Sequence, residues 1–350
     1  QQTVLRSLHV THPVTYIILF REYRLTETII MKYDNYQSTI EYICNNISIV
    51  IQGSFDVDDA INVANNCRHW RELFPNGQII FSISTNGLIE YSNEIDGRIE
   101  ISSIKTKKIH SDNVMINHAV SSIKQHCDVV VVCGEGTPLP SLKPDGALNN
   151  SDFLIGAAKK GLSFATKNYV LRIRNDISYL GTDFIKFYLD NYNKKRRYGS
   201  IFKQRILIPS LFTVNPYTID RLPFHFSDWS HFGLLEDVKS IWDDVSFMKY
   251  SDSLYYKYHQ YDINSTDQEK NFNSRLGIEQ HIHFNFFKKH LKGIKLDYHN
   301  DQSSLVDYLK VLENEFIVGG PEELKIYSQS RSYYINGELL KVVCIQYDSW

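Results

Sequence analysis

The sequence predicts an α/β protein built on a Rossmann-type, mostly parallel, twisted sheet flanked by helices. Three observations carry that prediction. Short apolar runs recur at residues 47–51, 78–84, 127–133 and 169–173, as strands covered on both faces require. Before the last of them, Leu154, Ala157, Ala158, Gly161, Leu162 and Ala165 form the stripe of an amphipathic helix. The resulting order of strand, helix, strand, insertion, strand, loop, helix, strand is that of a parallel sheet with crossovers. Right-handed crossovers then place the strands' C-terminal ends along one rim, where ligands bind.

Taken in order, residues 1–46 read as an N-terminal extension without clear periodicity, and 47–350 as one domain with a first half (47–183) and a second (184–350). The first strand ends at Gly53, and Asp56 and Asp58 offer N-caps for a helix that Pro75-Asn76-Gly77 stops. Residues 85–125 read as a hairpin or irregular insertion plus a short helix, and a Pro/Gly-rich loop follows Cys133. Asn150, Ser151 or Asp152 caps the striped helix, which leads directly into "YVLRIRND". Beyond Asp183 the chain offers an aromatic helix (184–192), a basic cluster, and a strand over 205–214 whose Pro209 suggests an edge or a bulge. Helices near 234–242 and 277–291 complete a second half rich in helical and aromatic elements.

Composition sets the class. With 43% hydrophobic and 22% charged residues, the 350-residue chain can bury a large core and is not of disordered type. A net charge of −2 gives no reason to expect nucleic acid as a partner. The five cysteines form no C-x-x-C pair and read as reduced, buried small hydrophobes of a reducing, cytoplasmic compartment. The longest apolar run, Val14 to Phe20, is too short for a bilayer, which needs roughly 20 residues. The chain begins with Gln, as a trimmed piece of a longer protein would.

Two motif-like stretches carry nothing, and a third motif is absent. "GAAKKGLS" has Leu162 where a P-loop needs lysine and lies within a helix; "CGEGTPLP" has Leu139 for the third glycine of a dinucleotide fingerprint; no G-x-S-x-G elbow exists. The end of "KNYVLRIRND" is more informative. Asp176 at a strand tip can hold a divalent cation on a diphosphate, and Arg172 and Arg174, two apart, share a face suited to phosphate. An ion pair of Arg174 with Asp176 is the plainer alternative. "PFHFSDW" gathers His225, Ser227, Asp228 and Trp229. A carboxylate beside rings suits a general base for a sugar hydroxyl, and an indole suits stacking on a pyranose; an aromatic turn with Asp228 capping a helix is the alternative. His281 and His283 diverge on a helix, which speaks against zinc, while Glu279 near its start is a candidate ligand contact. Lys194, Lys195, Arg196 and Arg197 are either a membrane-attracting cluster or a solvated helix end.

In their order, "IVIQGSFD", "GLSFATKNYVLRIRND" and "LPFHFSDWSHFGLLED" resemble the WavE lipopolysaccharide-synthesis family of bacterial glycosyltransferase-like proteins, from about residue 47 to about residue 320. The resemblance implies a GT-A-like fold and a nucleotide-sugar donor whose diphosphate sits on a metal held by a pair of acids. That carry-over lands on Asp176, with Arg174 in the partner position, so that the arginine can supply the positive charge instead of a second carboxylate. Phe153 and Leu154 depart from the polar residues the family tends to have.

The expectation is a hexosyl-type glycosyltransferase acting on a lipopolysaccharide or capsule precursor. Gln52, Gly53, Ser54, Arg174 and Asp176 would bind the nucleotide sugar. Asp228 would be the base, with His225 as an alternative base or second ligand of a Mn2+ or Mg2+ ion on Asp176. Trp229 and Glu279 would contact the glycan or glycolipid acceptor. The basic run Lys194–Arg197 would touch the cytoplasmic face of the inner membrane. A non-catalytic glycan-binding scaffold and a sugar-phosphate or polyol-phosphate transferase are the competing expectations.

Overall fold

In a computed structural model, residues 35–337 and 342–345 are described, apart from residues 86, 135, 145, 148 and 219. The part of the expected N-terminal extension before residue 35, with the apolar run at Val14, lies outside the described residues. The chain divides into two units, residues 1–44 and 45–350. Of the first, the described part belongs to a helix, α1 (35–45).

The second unit begins with the expected alternation. Strand β1 (Ile47–Gly53) is followed by α2 (Ala60–Leu73) and β2 (Gln78–Ile83). Asp59, not Asp56 or Asp58, is the N-cap residue of α2, and no side chain caps it. The insertion is more ordered than expected. It holds β3 (Ile89–Tyr91), β4 (Glu94–Ile95), β5 (Arg98–Ile99), β6 (Ile104–Thr106) and the 13-residue α3 (Val114–His126). Then come β7 (Val129–Val132), α4 (Ser151–Ser163), β8 (Tyr169–Arg174), β9 (Ser178–Tyr179) and α5 (Asp183–Asn191).

The second half contributes β10 (Ile206–Pro209), β11 (Ser230–Leu234), α6 (Leu235–Asp244), α7 (Tyr250–Ser253), α8 (Tyr255–Tyr258) and α9 (Ile278–His290). It closes with α10 (Leu305–Glu315), β12 (Phe316–Gly319), β13 (Ile326–Tyr327) and α11 (Ser332–Asn336). Strands β11 and β12 and helix α10 have no counterpart in the sequence reading. Strand β10 is not an edge: it lies between β12 and β11, but its pairing with β11 is at Leu207, and Pro209 lies beyond it, where no donor to β11 is needed.

The main sheet runs β12-β10-β11-β8-β1-β2-β7-β5-β4. Its centre, β7-β2-β1-β8, is parallel, and β11 runs antiparallel to both β8 and β10. The chain steps outward from β1 to β2 to β7, then returns to β8 on β1's other side. The C-terminal ends of β1 and β8 therefore flank the point where strand order reverses, the place where open α/β sheets form ligand crevices.

Helices cover both faces. On one, Gly161 of α4 has no Cβ because Val50 Cγ1 and Ser82 Cβ would lie 2.5 and 2.9 Å from it. This close approach lets Ser82 donate to the Ala157 carbonyl at 2.6 Å. Val50, Ile80, Val131, Ile155, Leu162 and Trp242 belong to the large core there. On the other face Trp70 of α2 stacks on Phe74 and meets Tyr179 edge-on. All five cysteines are free thiols, and among the described residues no helix is long and apolar enough to cross a membrane.

Candidate functional site

Strand β8 presents its two arginines at different depths. Arg172, within the strand, is fully buried. Its Nε donates to Gln52 Oε1 at 2.8 Å, a second guanidinium nitrogen donates to the Asp228 carbonyl, and the group lies 4.2 Å from the Trp242 ring centre. Burial pulls this guanidinium down to about 9. Arg172 is thus a structural cation and not the phosphate ligand its spacing suggested. Gln52, expected to touch a nucleotide, is 3% exposed and spent on Arg172.

Gly53 also departs from expectation. Its missing side chain makes room for Asn175 rather than for a ligand: a Cβ there would lie 2.1 Å from Asn175 Oδ1. Asn175 bridges the two strand ends, its backbone N–H donating to Gln52 and its Nδ2 to the Ser54 carbonyl. Ser54 stays half-buried at the rim.

At the tip the chain reaches open space. Arg174 and Asp176 form a two-pronged ion pair, Nε to Oδ1 at 3.0 Å and the second prong at 3.1 Å, both side chains 23% exposed. Arg331, which the sequence reading missed, approaches from the far end of the chain and donates to Asp176 Oδ2 at 2.5 Å. Burial raises the Asp176 carboxyl, but the two guanidiniums outweigh it and hold it below the usual carboxylate range. Burial likewise lowers Arg174, yet Asp176 and Asp228 beside it keep it above its ordinary value.

Beyond Arg174 lies an acid–base group. The His225 ring donates from Nδ1 to the Phe212 carbonyl at 2.8 Å, leaving Nε2 to face Glu279 Oε2 at 3.3 Å. With Nδ1–H committed to the carbonyl, Nε2 is the ring nitrogen that faces the Glu279 carboxyl. Burial foremost, with Asp228 nearby, raises the Glu279 carboxyl above its ordinary value, against the pull of His225. Phe212 and Phe224, which frame His225, both have left-handed backbone, at φ 63° and 60°. Bulky residues rarely adopt it, and such strain concentrates at functional sites. Helix α9 fixes the pair from beneath: His283 Nδ1 donates to the Glu279 carbonyl at 2.7 Å, and His231 Nε2 meets His283 Nε2 at 3.1 Å.

Two expected roles are revised by burial. Asp228, the expected base, is 1% exposed and neither carboxylate oxygen receives a hydrogen bond. Its backbone carbonyl accepts from Arg172, and its carboxyl group lies close enough for its charge to be felt by Arg172, Arg174 and Glu279. Trp229, the expected sugar platform, is 2% exposed; Phe212 packs against its ring at 5.3 Å and Arg331 lies 5.6 Å from its centre. Glu279, unlike Asp228, keeps some exposure, its side chain 16% exposed.

The donor set does not fit a divalent cation as it stands. Both Asp176 oxygens are engaged by arginines, and both His225 nitrogens have partners. No group of three or more His, Cys, Asp or Glu among the described residues could hold a metal ion. His281 and His283 diverge as expected, His281 bonding the Ser246 carbonyl. Of the basic run, Arg196 bonds the Phe202 carbonyl and Arg197 pairs with Glu313 at 3.0 Å, while Lys194 and Lys195 are exposed.

On the α2 side of the rim, Asp176 also borders a cavity of about 270 Å³. One face of α2, with Asn62, Asn66 and His69, forms one wall, and the segment Tyr327–Ser330 forms another.

No curated protein matches the chain. A family model described as WavE lipopolysaccharide synthesis matches residues 134–343. It takes in β8, the His225–Glu279 group and Arg331, and leaves out β1, α2 and β2, which the resemblance read from the sequence had included. With more than half of its length inside that match, the chain belongs to the WavE lipopolysaccharide synthesis family.

Proposed function

We propose that the chain is a glycosyltransferase that moves a sugar from a nucleotide-sugar donor onto a lipopolysaccharide or capsule precursor. The observation that carries this reading is the juxtaposition, at the point where strand order reverses, of an arginine pair with an acid–histidine pair. Glu279, with His225, takes the proton of the acceptor hydroxyl. The freed oxygen forms the new bond to the anomeric carbon while the bond to the donor diphosphate breaks. The leaving charge then falls toward Arg174 and Arg331, which Asp176 holds in place, as preorganised cations stabilise developing negative charge. A raised carboxyl is the more effective base once ionised. The GT-A-like expectation is supported by the parallel centre of the sheet and by antiparallel β11 placed beside β8.

A sealed Asp228 and a doubly paired Asp176 would equally suit a glycan-binding scaffold that has lost its chemistry. Calorimetry with UDP-, GDP-, ADP- and CMP-sugars, in EDTA and in Mn2+, separates the two readings, since a scaffold binds none of the donors. In the transferase, Glu279→Gln is expected to lower turnover by about 10²–10⁴ with donor affinity kept. Unchanged turnover in that variant would remove the base. Product analysis distinguishes sugar transfer from transfer of a sugar phosphate.

A further inference from the structure

We infer that the cavity between α2 and residues 327–330 is a binding subsite for a neutral saccharide, occupied by the acceptor glycan and not by the donor nucleotide. The inference rests on the transferase reading for the word acceptor, but the site stands on its own chemistry. Among the described residues, no lysine or arginine lines the cavity, whereas Asp59 and Asp176 do. With Asp59 on the wall, Asp176 already engaged by Arg174 and Arg331, and no cation among the lining residues, the cavity itself offers a diphosphate no ion pair. What remains is a lining of amides and hydroxyls: Asn62 and Asn66 from α2, Ser178 from β9, and Gln329 beyond β13. Such groups both donate and accept, which is what sugar hydroxyls need.

The scaffold around the cavity is tied together by hydrogen bonds. Asn66 Nδ2 donates to the Asn175 and Ile177 carbonyls at 3.0 and 2.9 Å, and His69 Nε2 bonds the Tyr179 carbonyl at 2.7 Å. Strands β9 and β13 pair in register, Tyr327 opposite Ser178. Asn66 Oδ1 is left buried without a hydrogen-bond partner on the wall of the cavity. Tyr327 and Leu180, at the cavity's edge, are 51% and 61% exposed, so a phenol ring stands at the mouth where the apolar face of a pyranose can stack on it. The cavity's volume, about 270 Å³, falls just below that of typical ligand pockets, which run from roughly 300 to 1,000 Å³. Asp176 joins it to the arginine pair, which puts a bound saccharide beside the charged end of the donor.

The test is a glycan array of neutral hexose and N-acetylhexosamine oligosaccharides, with sialylated and phosphorylated glycans as acidic controls, probed with the full chain. Hits are then titrated against Asn62→Ala, Tyr327→Ala and Gln329→Ala, all at exposed positions. Neutral glycans are expected to bind, and each substitution to weaken them at least fivefold while affinity for nucleoside diphosphates stays within twofold of the unsubstituted chain. Binding of acidic glycans alone, no binding at all, or saccharide affinity untouched by all three substitutions would overturn the inference. So would parallel loss of nucleoside diphosphate affinity, which would make the cavity the donor site. Saccharide binding that depends on these residues in a chain that binds no donor would sink the transferase reading and leave the subsite standing.

Discussion

Arg172 and Arg174 sit two residues apart on one side of one strand, yet they do opposite work. The first is sealed between Gln52, the Asp228 carbonyl and the Trp242 ring. The second lies one step closer to the rim, with its side chain 23% exposed against Asp176. Nothing in the residue type separates them; depth along the strand does. A buried arginine is kept by the acceptors it satisfies, and a rim arginine is available to a ligand.

The sharpest way to break this contrast is to delete both. Arg172→Ala removes a buried cation, strands the Gln52 and Asp228 oxygens, and leaves a void under Trp242. Losses when one partner of a buried polar pair is removed run to about 3–5 kcal/mol, and we expect a fall of that order in a urea titration. Arg174→Ala should cost on the order of 1 kcal/mol, remain folded, and lose donor turnover. Equal destabilisation by the two would show that the rim arginine is structural as well.

A smaller effect tests how the crevice between β1 and β8 is filled. Gly53→Ala drives a Cβ into Asn175, 2.1 Å from its Oδ1, and must displace the side chain from the Ser54 carbonyl. Overpacking of this kind costs about 1–3 kcal/mol. Gly134→Ala is the control, since nothing lies within 4 Å of the added atom. A melting temperature lowered at 53 and unchanged at 134 is the expected pair of results.

These contrasts also mark what the sequence could and could not disclose. The parallel centre was legible because β1, β2, β7 and β8 are buried on both faces and so read as short, largely apolar runs. Strand β11, "SHFGL", was not legible: its buried His231 and Gly233 break the apolar pattern, and the core admits them because His231 bonds His283 and α9 backs it. Asp176 and Glu279 were found by residue type and position. Arg331 was missed because it is brought to Asp176 only by the β9–β13 pairing, a contact across 155 residues that local pattern cannot encode. The seal on Trp229 was equally hidden, since the left-handed turn at Phe212, whose ring packs against it, has no mark in the residue type.

The buried histidines give a further, graded contrast between interior and rim. Burial holds His283 down to about 3 and His299 to about 4, and it takes His231 well below its ordinary value, helped by His283 and Arg172. These groups are neutral when folded and take up protons on unfolding. Their contribution is therefore complete above the unfolded value near 6.5 and is lost as pH falls through 6.5 toward 3–4. Each titrating group adds up to about 1.4 kcal/mol per pH unit within that window. Asp176, held low at the rim, acts later, below the ordinary aspartate range. Urea midpoints should fall steadily from pH 7 to pH 5, and His283→Gln should flatten that slope although it lowers stability at pH 7. An unaltered slope would mean that the His231–His283 pair opens to solvent.

The smallest effect is expected at the surface, where the basic run after α5 stands. Arg197 pairs with Glu313 at 3.0 Å, but its side chain is 73% exposed, and solvent screens such a pair. Exposed pairs contribute about 0–1 kcal/mol, so Arg197→Ala should leave the urea midpoint close to that of the unsubstituted chain. Because Arg196 and Arg197 already answer to Phe202 and Glu313, any attraction to anionic lipid falls chiefly on exposed Lys194 and Lys195. At about 1 kcal/mol per lysine near an anionic surface, Lys194→Ala with Lys195→Ala should weaken sedimentation with phosphatidylserine vesicles more than Arg197→Ala does. The reverse order would place the membrane contact on the arginines and require the Glu313 pair to open at the bilayer.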